Sequence, residues 1–253
     1  LNSLPMVISA GVIAAAGAAA WGGVGASAEL FGPTVHRLAR PRTVALTFDD
    51  GPNPAVTPPL LDELDRHSAR ATFFLIGKFA RSCPDLVREI AARGHLLGNH
   101  TETHPNLIFQ SRSQIREELA RCQEAVASAT KSTPPIWMRP PYGYRSPILQ
   151  GEIRRAGLRG VVMWSLICGD WKHQSPERLI RKLACVERRS GSRGEIVVFH
   201  DGDHHALGGD RHHVVAALAH WLPRWRDMGL EFVTIEKSVE PQAGNDSLRA
   251  SRA

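Results

Sequence analysis

Short apolar segments alternate with amphipathic segments through most of the chain. The apolar segments predict β-strands, at residues 44–48, 71–76, 95–98, 160–166, 195–199 and 231–235. Between them, apolar residues recur every three or four positions, which predicts helices, at residues 58–67, 85–93, 147–156, 176–187 and 211–226. Strands that alternate with helices favour βα units and a mainly parallel sheet.

Local signals support the predicted helices. Ser111 and Gln114 have the spacing of a capping box, and the apolar residues that follow them lie on one helical face. Pro84 suits the first turn of a helix, and Gly94 suits its end. Six or seven βα repeats favour a closed or partly closed barrel over a two-layer sandwich. We therefore predict an α/β protein with a distorted (β/α) barrel of about seven parallel strands.

The two ends of the chain differ in composition from this central region. Residues 4–28 carry no charged side chain, are rich in Ala and Gly, and end in the small-x-small pattern of a signal-peptidase site. Their length is sufficient to cross a bilayer. The alternative is a buried or peripheral helix of a cytosolic protein, which is favoured by the arginines that follow the apolar run. We expect four parts: an apolar signal or anchor at 1–28, a linker at 29–41, a folded domain at 42–238 and a flexible tail at 239–253.

Composition adds two restrictions. The 253 residues carry 31 Lys and Arg against 25 Asp and Glu, a formal net charge of +6, which permits an anionic partner. Neither a block of like charges nor an aromatic-interleaved basic motif is present, so we expect no nucleic acid partner. The cysteines form no C-x-x-C pair, which favours buried apolar residues or disulfides over metal ligands; they are Cys83, Cys122, Cys168 and Cys185.

Two adjacent carboxylates follow the first predicted strand. Asp49 and Asp50 precede a Gly-Pro turn. Neighbouring side chains of an extended segment point to opposite sides, so one carboxylate can bind a cation while the other acts as a base. Polar residues at the ends of parallel strands meet at one mouth of a barrel, where such folds place their sites. A solvated turn is the alternative for this motif taken alone.

A histidine pair follows the strand at 95–98. His100 and His104 would share one face if the segment formed a helical turn, which suits a divalent metal. Glu102 does not complete an H-E-x-x-H motif, so the base must come from elsewhere, and Asp49 or Asp50 is the obvious supplier. The motifs together predict a site with two histidines, one carboxylate and open coordination positions.

Further polar segments are expected at the same mouth. Arg139 opens a loop in which two prolines fix the backbone. Asp170 and Trp171 follow one later strand, and His200 ends the next. An aspartate beside a histidine can orient the imidazole and raise its pKa, as a general acid for a leaving amine requires.

Together these segments resemble the polysaccharide deacetylases that share the NodB homology domain, carbohydrate esterase family 4. The resemblance extends from about residue 42 to residue 236 and is most specific in Thr47–Pro52 and His100–Pro105. It implies a metal-dependent hydrolase that removes N-acetyl groups from a polysaccharide containing N-acetylhexosamine, such as peptidoglycan or a chitin-like glycan. With the apolar N-terminal segment, it favours a monomer in the cell envelope, exported or membrane-anchored, over a cytoplasmic protein.

The resemblance also implies roles for the matched residues. Asp49 is expected to be the general base that activates the attacking water, oriented by Arg139 through a charge-assisted pair. The general acid is expected to be His200, tuned by Asp170, and the backbone N–H of Tyr142 is expected to help stabilise the oxyanion. The expected metal ligands are Asp50, His100 and His104, holding Zn²⁺ most often and Co²⁺ or Mn²⁺ in some members. The expected substrate contacts are Thr101, Pro140, Tyr142 and Trp171.

Two positions depart from the family pattern, and one segment stands outside it. Ile167 occupies a position that is often acidic, and Val198 one that is usually leucine. Neither change removes an expected ligand, base or acid. Because this part of the chain helps to shape the pocket, the two changes leave the identity of the substrate undefined. The His-rich stretch at 201–213 has no fixed ligand spacing, so we interpret it as a polar insert beside the mouth, with some residues in reach of substrate.

Two other functional classes remain as alternatives. A catalytically silent carbohydrate-binding protein of the same family would keep the site and bind glycan without releasing acetate. A non-haem iron oxygenase also uses two histidines and one carboxylate. The absence of an H-x-D pair and the second aspartate beside the ligand weigh against the oxygenase.

Overall fold

The computed structural model describes residue 17 and residues 21–236. Most of the predicted signal or anchor segment and the whole predicted tail lie outside these residues. Within the described part, we find no helix with both the length and the apolar character needed to span a membrane.

The strands form one parallel sheet. They are β1 Thr34–Val35, β2 Thr43–Gly51, β3 Thr72–Leu75, β4 Leu96–Asn99, β5 Trp137–Met138, β6 Gly160–Val162, β7 Leu166–Ile167, β8 Glu195–His200 and β9 Glu231–Phe232. They are hydrogen-bonded in the order β1-β6-β5-β4-β3-β2-β8-β7, and β9 pairs with the start of β2. A bridge between Leu38 and Gly194 links the segment after β1 to the start of β8. The predicted distorted barrel of parallel strands is confirmed.

The helices pack around this sheet. They are α1 Thr57–Arg66, α2 Gly77–Ser82, α3 Pro84–Ala92, α4 Arg112–Thr130, α5 Leu149–Arg155, α6 Pro176–Leu183, α7 Val186–Arg189 and α8 His212–Asp227. The predicted capping box is present, because Ser111 and Gln114 cap the start of α4 reciprocally. The described cysteines are all free, with Cys122 and Cys168 buried.

The alternation of side chains along β2 determines which of its residues enter the barrel. Val44, Leu46 and Phe48 belong to the core that the sheet shares with the helices, where Phe48 stacks on a neighbouring ring of β3 at 4.9 Å. Ala45 points to the other face and belongs to the smaller core inside the barrel. Because side chains alternate along a strand, Asp49 also enters the interior, at the end where β2 meets the mouth.

Two local differences from the predicted elements have physical causes. The apolar run at 160–166 predicts one strand, but β6 pairs with β5 and β7 pairs with β8, so the run changes partners between them. Residues 29–41, which the sequence predicts to be a linker, contain β1, and Leu38 is buried. The pairing of β1 with β6 gives these residues a place in the sheet.

Candidate metal and catalytic site

A bulge in β2 turns two adjacent carboxylates toward the same mouth. The register of β2 against β3 shifts between Asp49 and Gly51, and Asp50 has a φ of 69°. Aspartate tolerates this left-handed conformation better than most residues. In a regular strand Asp50 would point away from Asp49, but a bulge re-aims the side chain. Both carboxylates therefore line the same cavity.

His100 and His104 are brought together by a loop and not by the helical turn that their spacing suggested. Positive φ angles at Thr101 (67°) and His104 (62°) exclude a helix here, yet the two rings lie 4.9 Å apart, centroid to centroid. Thr101 is fully buried, and its Oγ1 accepts a hydrogen bond from the His104 amide. Its side chain therefore supports the loop beneath the cavity.

Asp50 and the two histidines form a cradle that fits a divalent cation. The Nε2 atoms of His100 and His104 each lie 3.4 Å from Asp50 Oδ1. Ligand atoms bound at about 2.1 Å to one tetrahedral ion are separated by about 3.4 Å. Asp50 Oδ1 is buried without a hydrogen-bond partner, as expected of an atom that serves a cation. These residues are therefore a possible metal site.

The hydrogen bonds and charges of these three side chains suit metal binding. His100 Nδ1 lies 2.7 Å from the Arg139 carbonyl oxygen, so Nδ1 donates to that oxygen and the ring is held with Nε2 toward Asp50. Burial lowers the pKa of His104 to about 2, so its ring is neutral. Burial would raise the pKa of Asp50, but His100 and His204 outweigh it and hold that pKa well below its ordinary value. A charged Asp50 carboxylate and a neutral His104 ring are the forms in which these two side chains bind a metal.

Arg139 holds Asp49 in the barrel interior. Its Nη1 donates to Asp49 Oδ1 and to Thr47 Oγ1, both at 2.8 Å. The rest of the guanidinium is fixed by the carbonyl oxygens of Val162 and Met163. Arg139 is fully buried, and Asp49 lines the cavity. The arrangement supplies an oriented carboxylate, paired with a guanidinium, beside the metal cradle.

His200 and Asp170 form a second pair at the cavity. Asp170 is fully buried, accepts a hydrogen bond from the His200 amide at 2.6 Å, and lies 3.2 Å from His200 Nδ1. Burial lowers the pKa of His200, but the charge and hydrogen bond of Asp170 outweigh it. With Asp50 and Asp49 adding to the effect, the pKa of His200 rises to about 9. His200 is therefore protonated at neutral pH, as a proton donor must be.

These groups share one cavity of about 290 Å³. The residues expected from the sequence that line it are Asp49, Asp50, His100, His104, Pro140, Tyr142, Trp171 and His200, together with Ile167 and Val198. Trp171 packs edge-on against His200, with centroids 5.5 Å apart. Gly143, at the end of the Pro-rich loop that follows Arg139, also lines the cavity. Sequence reasoning missed Tyr144 and Trp164, which carry no motif of their own, and underestimated His204.

Comparison with known proteins agrees with this geometry. Residues 37–161 match the family model for polysaccharide deacetylases. A chitooligosaccharide deacetylase of Bradyrhizobium sp. (strain ANU 289) is 38% identical over 161 residues, which cover 64% of this chain and 71% of that protein. The chain belongs to the polysaccharide deacetylase family. The NodB-domain membership and the deacetylase class predicted from the motifs are thus confirmed.

Two further relatives of this polysaccharide deacetylase are peptidoglycan-N-acetylglucosamine deacetylases. One, from Bacillus cereus, is 34% identical over 194 residues, covering 76% of this chain and 66% of that protein. The chain thus spans just under two thirds of that relative's length. The other has a crystal structure that matches with a TM-score of 0.71 at 30% identity, over 81% of this chain and 91% of that one.

Proposed function

We propose that this chain is a metal-dependent N-deacetylase of glycans that contain N-acetylhexosamine. The observation that carries the proposal is the meeting of three units in one cavity. The Asp50–His100–His104 cradle fits a cation, the Arg139–Asp49 pair supplies a base, and the Asp170–His200 pair supplies an acid. Hydrolysis of an acetamide needs all three.

The donor set of the cradle, one carboxylate and two imidazoles, is typical of catalytic zinc sites, and we propose Zn²⁺ as the ion, with Co²⁺ or Mn²⁺ as substitutes. A bound ion of this kind supplies Lewis acidity for the acetamide carbonyl and lowers the pKa of the attacking water. Ligand removal at Asp50, His100 or His104 should therefore abolish both metal binding and turnover.

Asp49 is the proposed general base. Its carboxylate lines the cavity one residue away from the metal ligand Asp50, so a water molecule near the cradle lies within its reach. Arg139 pairs with Asp49 and fixes the direction of Oδ1. Asp49 takes the proton of the attacking water, and its second oxygen remains available to the cavity.

His200 is the proposed general acid. Asp170 engages Nδ1, which leaves Nε2 as the nitrogen that can donate a proton to the departing amine. The backbone N–H of Tyr142 is the proposed oxyanion donor, because Tyr142 lies in a tight turn with a φ of 58° at the cavity wall. Proton removal by Asp49 and proton delivery by His200 together release acetate and a free amine.

The rim of the cavity suits a sugar ring. Tyr142 and Trp171 are 48% and 41% exposed, and both line the cavity, so each presents an apolar ring face and a polar edge to the entrance. Pro140 completes this wall. Thr101 lies beneath the cavity, and we propose that it affects substrate binding through the loop that it supports. The names of the relatives favour peptidoglycan or a chitooligosaccharide as the substrate.

A glycan of the envelope as substrate requires the protein to reach it. We propose export or anchoring through the N-terminal segment, with membrane association through that segment, and a monomeric domain over residues 42–238, to whose sheet β1 adds a strand. The proposal includes no nucleic acid partner. The net charge of +6 suits an anionic wall polymer.

A substrate panel tests the proposed function. The zinc-loaded protein is incubated with N-acetylglucosamine oligomers and with peptidoglycan fragments, and acetate and free amines are measured. We expect equal amounts of both products from at least one substrate class. Glycan binding without acetate release would favour the silent carbohydrate-binding alternative. Oxygen consumption that depends on iron and a 2-oxoacid would favour the oxygenase.

A further inference from the structure

The His-rich insert is a structured flap over the cavity. We define it as residues 201–211. Asn53 fixes both of its ends, because its Nδ2 donates to the carbonyl oxygens of Asp201 at 2.8 Å and Gly209 at 2.7 Å. Within the flap, Arg211 Nη2 lies 3.3 Å from Asp203 Oδ2. The flap therefore holds a definite shape, although its sequence shows no fixed ligand spacing.

One side chain of the flap, His204, enters the metal site. Its Nδ1 lies 3.6 Å from Asp50 Oδ2, and its ring stacks on His104 with centroids 4.2 Å apart and planes 28° from parallel. Lys78 Nζ donates to the carbonyl oxygen of His204 at 2.9 Å, which ties this residue to the start of α2. His204 also lines the cavity.

The His204 imidazole also contacts Tyr142, the proposed oxyanion donor. His204 Nε2 lies 3.3 Å from the hydroxyl of Tyr142. An ionised carboxylate only accepts, and a neutral imidazole has one donor and one acceptor. Both contacts are favourable when Nδ1–H faces the Asp50 carboxylate, as an electrostatic contact at 3.6 Å, and Nε2 accepts a hydrogen bond from the Tyr142 hydroxyl. One ring thereby connects Asp50, a proposed metal ligand, with Tyr142, the proposed oxyanion donor.

The geometry separates His204 from the metal ligands themselves. The Nε2 atoms of His100 and His104 face Asp50 Oδ1, whereas His204 Nδ1 faces Oδ2 on the same carboxylate. A contact to the outer oxygen of a ligating carboxylate orients it and strengthens metal binding.

We propose that His204 is a positioning residue of the metal site, which orients Asp50 through the electrostatic contact of Nδ1–H with Oδ2 at 3.6 Å and contacts Tyr142 through Nε2. The inference rests on the proposed metal dependence. It adds a third imidazole to the metal site, one that acts through a ligand and comes from the flap. Loss of such an outer contact weakens metal binding by about 10- to 100-fold.

Metal affinity of four variants tests the inference. Zn²⁺ affinity is measured by competition with a chromogenic chelator, and the visible spectrum of the Co²⁺ form reports the ligand field. We expect His204→Ala to bind Zn²⁺ about 10- to 100-fold more weakly, with an altered Co²⁺ spectrum. His204→Asn places an amide N–H where Nδ1–H lies and should recover most of the affinity. His204→Gln places it farther out and should not.

The control is His212→Ala. His212 is exposed and pairs with Asp210 outside the cavity, so its loss should leave Zn²⁺ affinity and the Co²⁺ spectrum unchanged. Equal Zn²⁺ affinity of His204→Ala and the wild type would overturn the inference, and so would an Asn variant no better than the Gln variant. If the Ala variant does not fold, the comparison of the Asn and Gln variants tests the inference instead. A wild-type protein that binds no divalent metal would overturn the proposed function itself.

Discussion

Arg139 Nη1 lies 2.8 Å from Asp49 Oδ1, with the guanidinium wholly inside the barrel. The same guanidinium is held by two carbonyl oxygens and by Thr47, and it stacks on the ring of Phe74 at 4.3 Å. These contacts together fix the orientation of the guanidinium. Through this pair, the packing of the barrel interior fixes the direction of the proposed base.

Arg139→Lys tests whether that direction matters. Lysine keeps the charge but lacks the planar fork that binds Asp49 and the carbonyl groups together. We expect kcat for acetate release to fall about 10- to 100-fold, with a smaller change in KM, because a misdirected base affects chemistry more than binding. Arg193→Lys, at an exposed position, is the control and should change neither constant. A kcat within twofold of the wild type would show that the orientation of Asp49 is unimportant.

The His200–Asp170 pair predicts a titration well above the ordinary range. The pKa of His200 is raised to about 9, so folding favours the protonated ring. This contribution to stability is complete below about pH 6.5, the unfolded value, and is lost as the pH rises through 9. NMR titration of the His200 ring should show the high pKa, and Asp170→Asn should lower it by about one to three units. A wild-type pKa near 6.5 would contradict the assigned pair.

Gly202 allows the flap to begin against the backbone of Asp50. A Cβ at this position would lie 2.0 Å from the Asp50 carbonyl oxygen, so Gly202→Ala must displace one of the two backbones. We expect the free energy of unfolding to fall by about 1–3 kcal/mol and Zn²⁺ affinity to fall with it. Both are measured, by denaturant titration and by chelator competition.

Gly151→Ala provides the matched control. Gly151 lies inside α5, where an added Cβ would meet only an arginine nitrogen at 3.7 Å. Alanine there should be neutral or stabilise the helix by up to about 1 kcal/mol, and it should leave Zn²⁺ affinity unchanged. If Gly202→Ala had the same stability and Zn²⁺ affinity as the wild type, the close approach of residue 202 to the Asp50 backbone would not require glycine at this position.

Much of the fold follows from sequence pattern because its core elements are strongly periodic. The run at 71–76 is buried as predicted in β3, and the cap at Ser111 begins α4 where expected. The strand β5 escaped detection because it has only two residues, and its pairing with β4 and β6 depends on distant parts of the chain. Short elements of this kind are fixed by tertiary contacts and not by local pattern.

In the candidate site, too, local sequence predicts some features and tertiary contacts fix the others. Motif spacing identified Asp49, Asp50, His100 and His104, and the structure brings all four to one cavity. Spacing did not reveal how they meet, because the bulge at Asp50 and the positive φ angles at Thr101 and His104 have no periodic signal. The contact of His204 with Asp50 joins residues more than 150 positions apart and appears only after folding.

Metal reconstitution tests the proposed function most directly. The protein is freed of metal with a chelator, Zn²⁺ is added back in steps, and acetate release from an N-acetylglucosamine oligomer is measured at each step. We predict no turnover without metal, a rise that ends at one Zn²⁺ per chain, and no recovery for Asp49→Asn, which retains the cradle. Undiminished acetate release by the metal-free protein, or full recovery of Asp49→Asn, would contradict a metal-dependent deacetylase with Asp49 as its base.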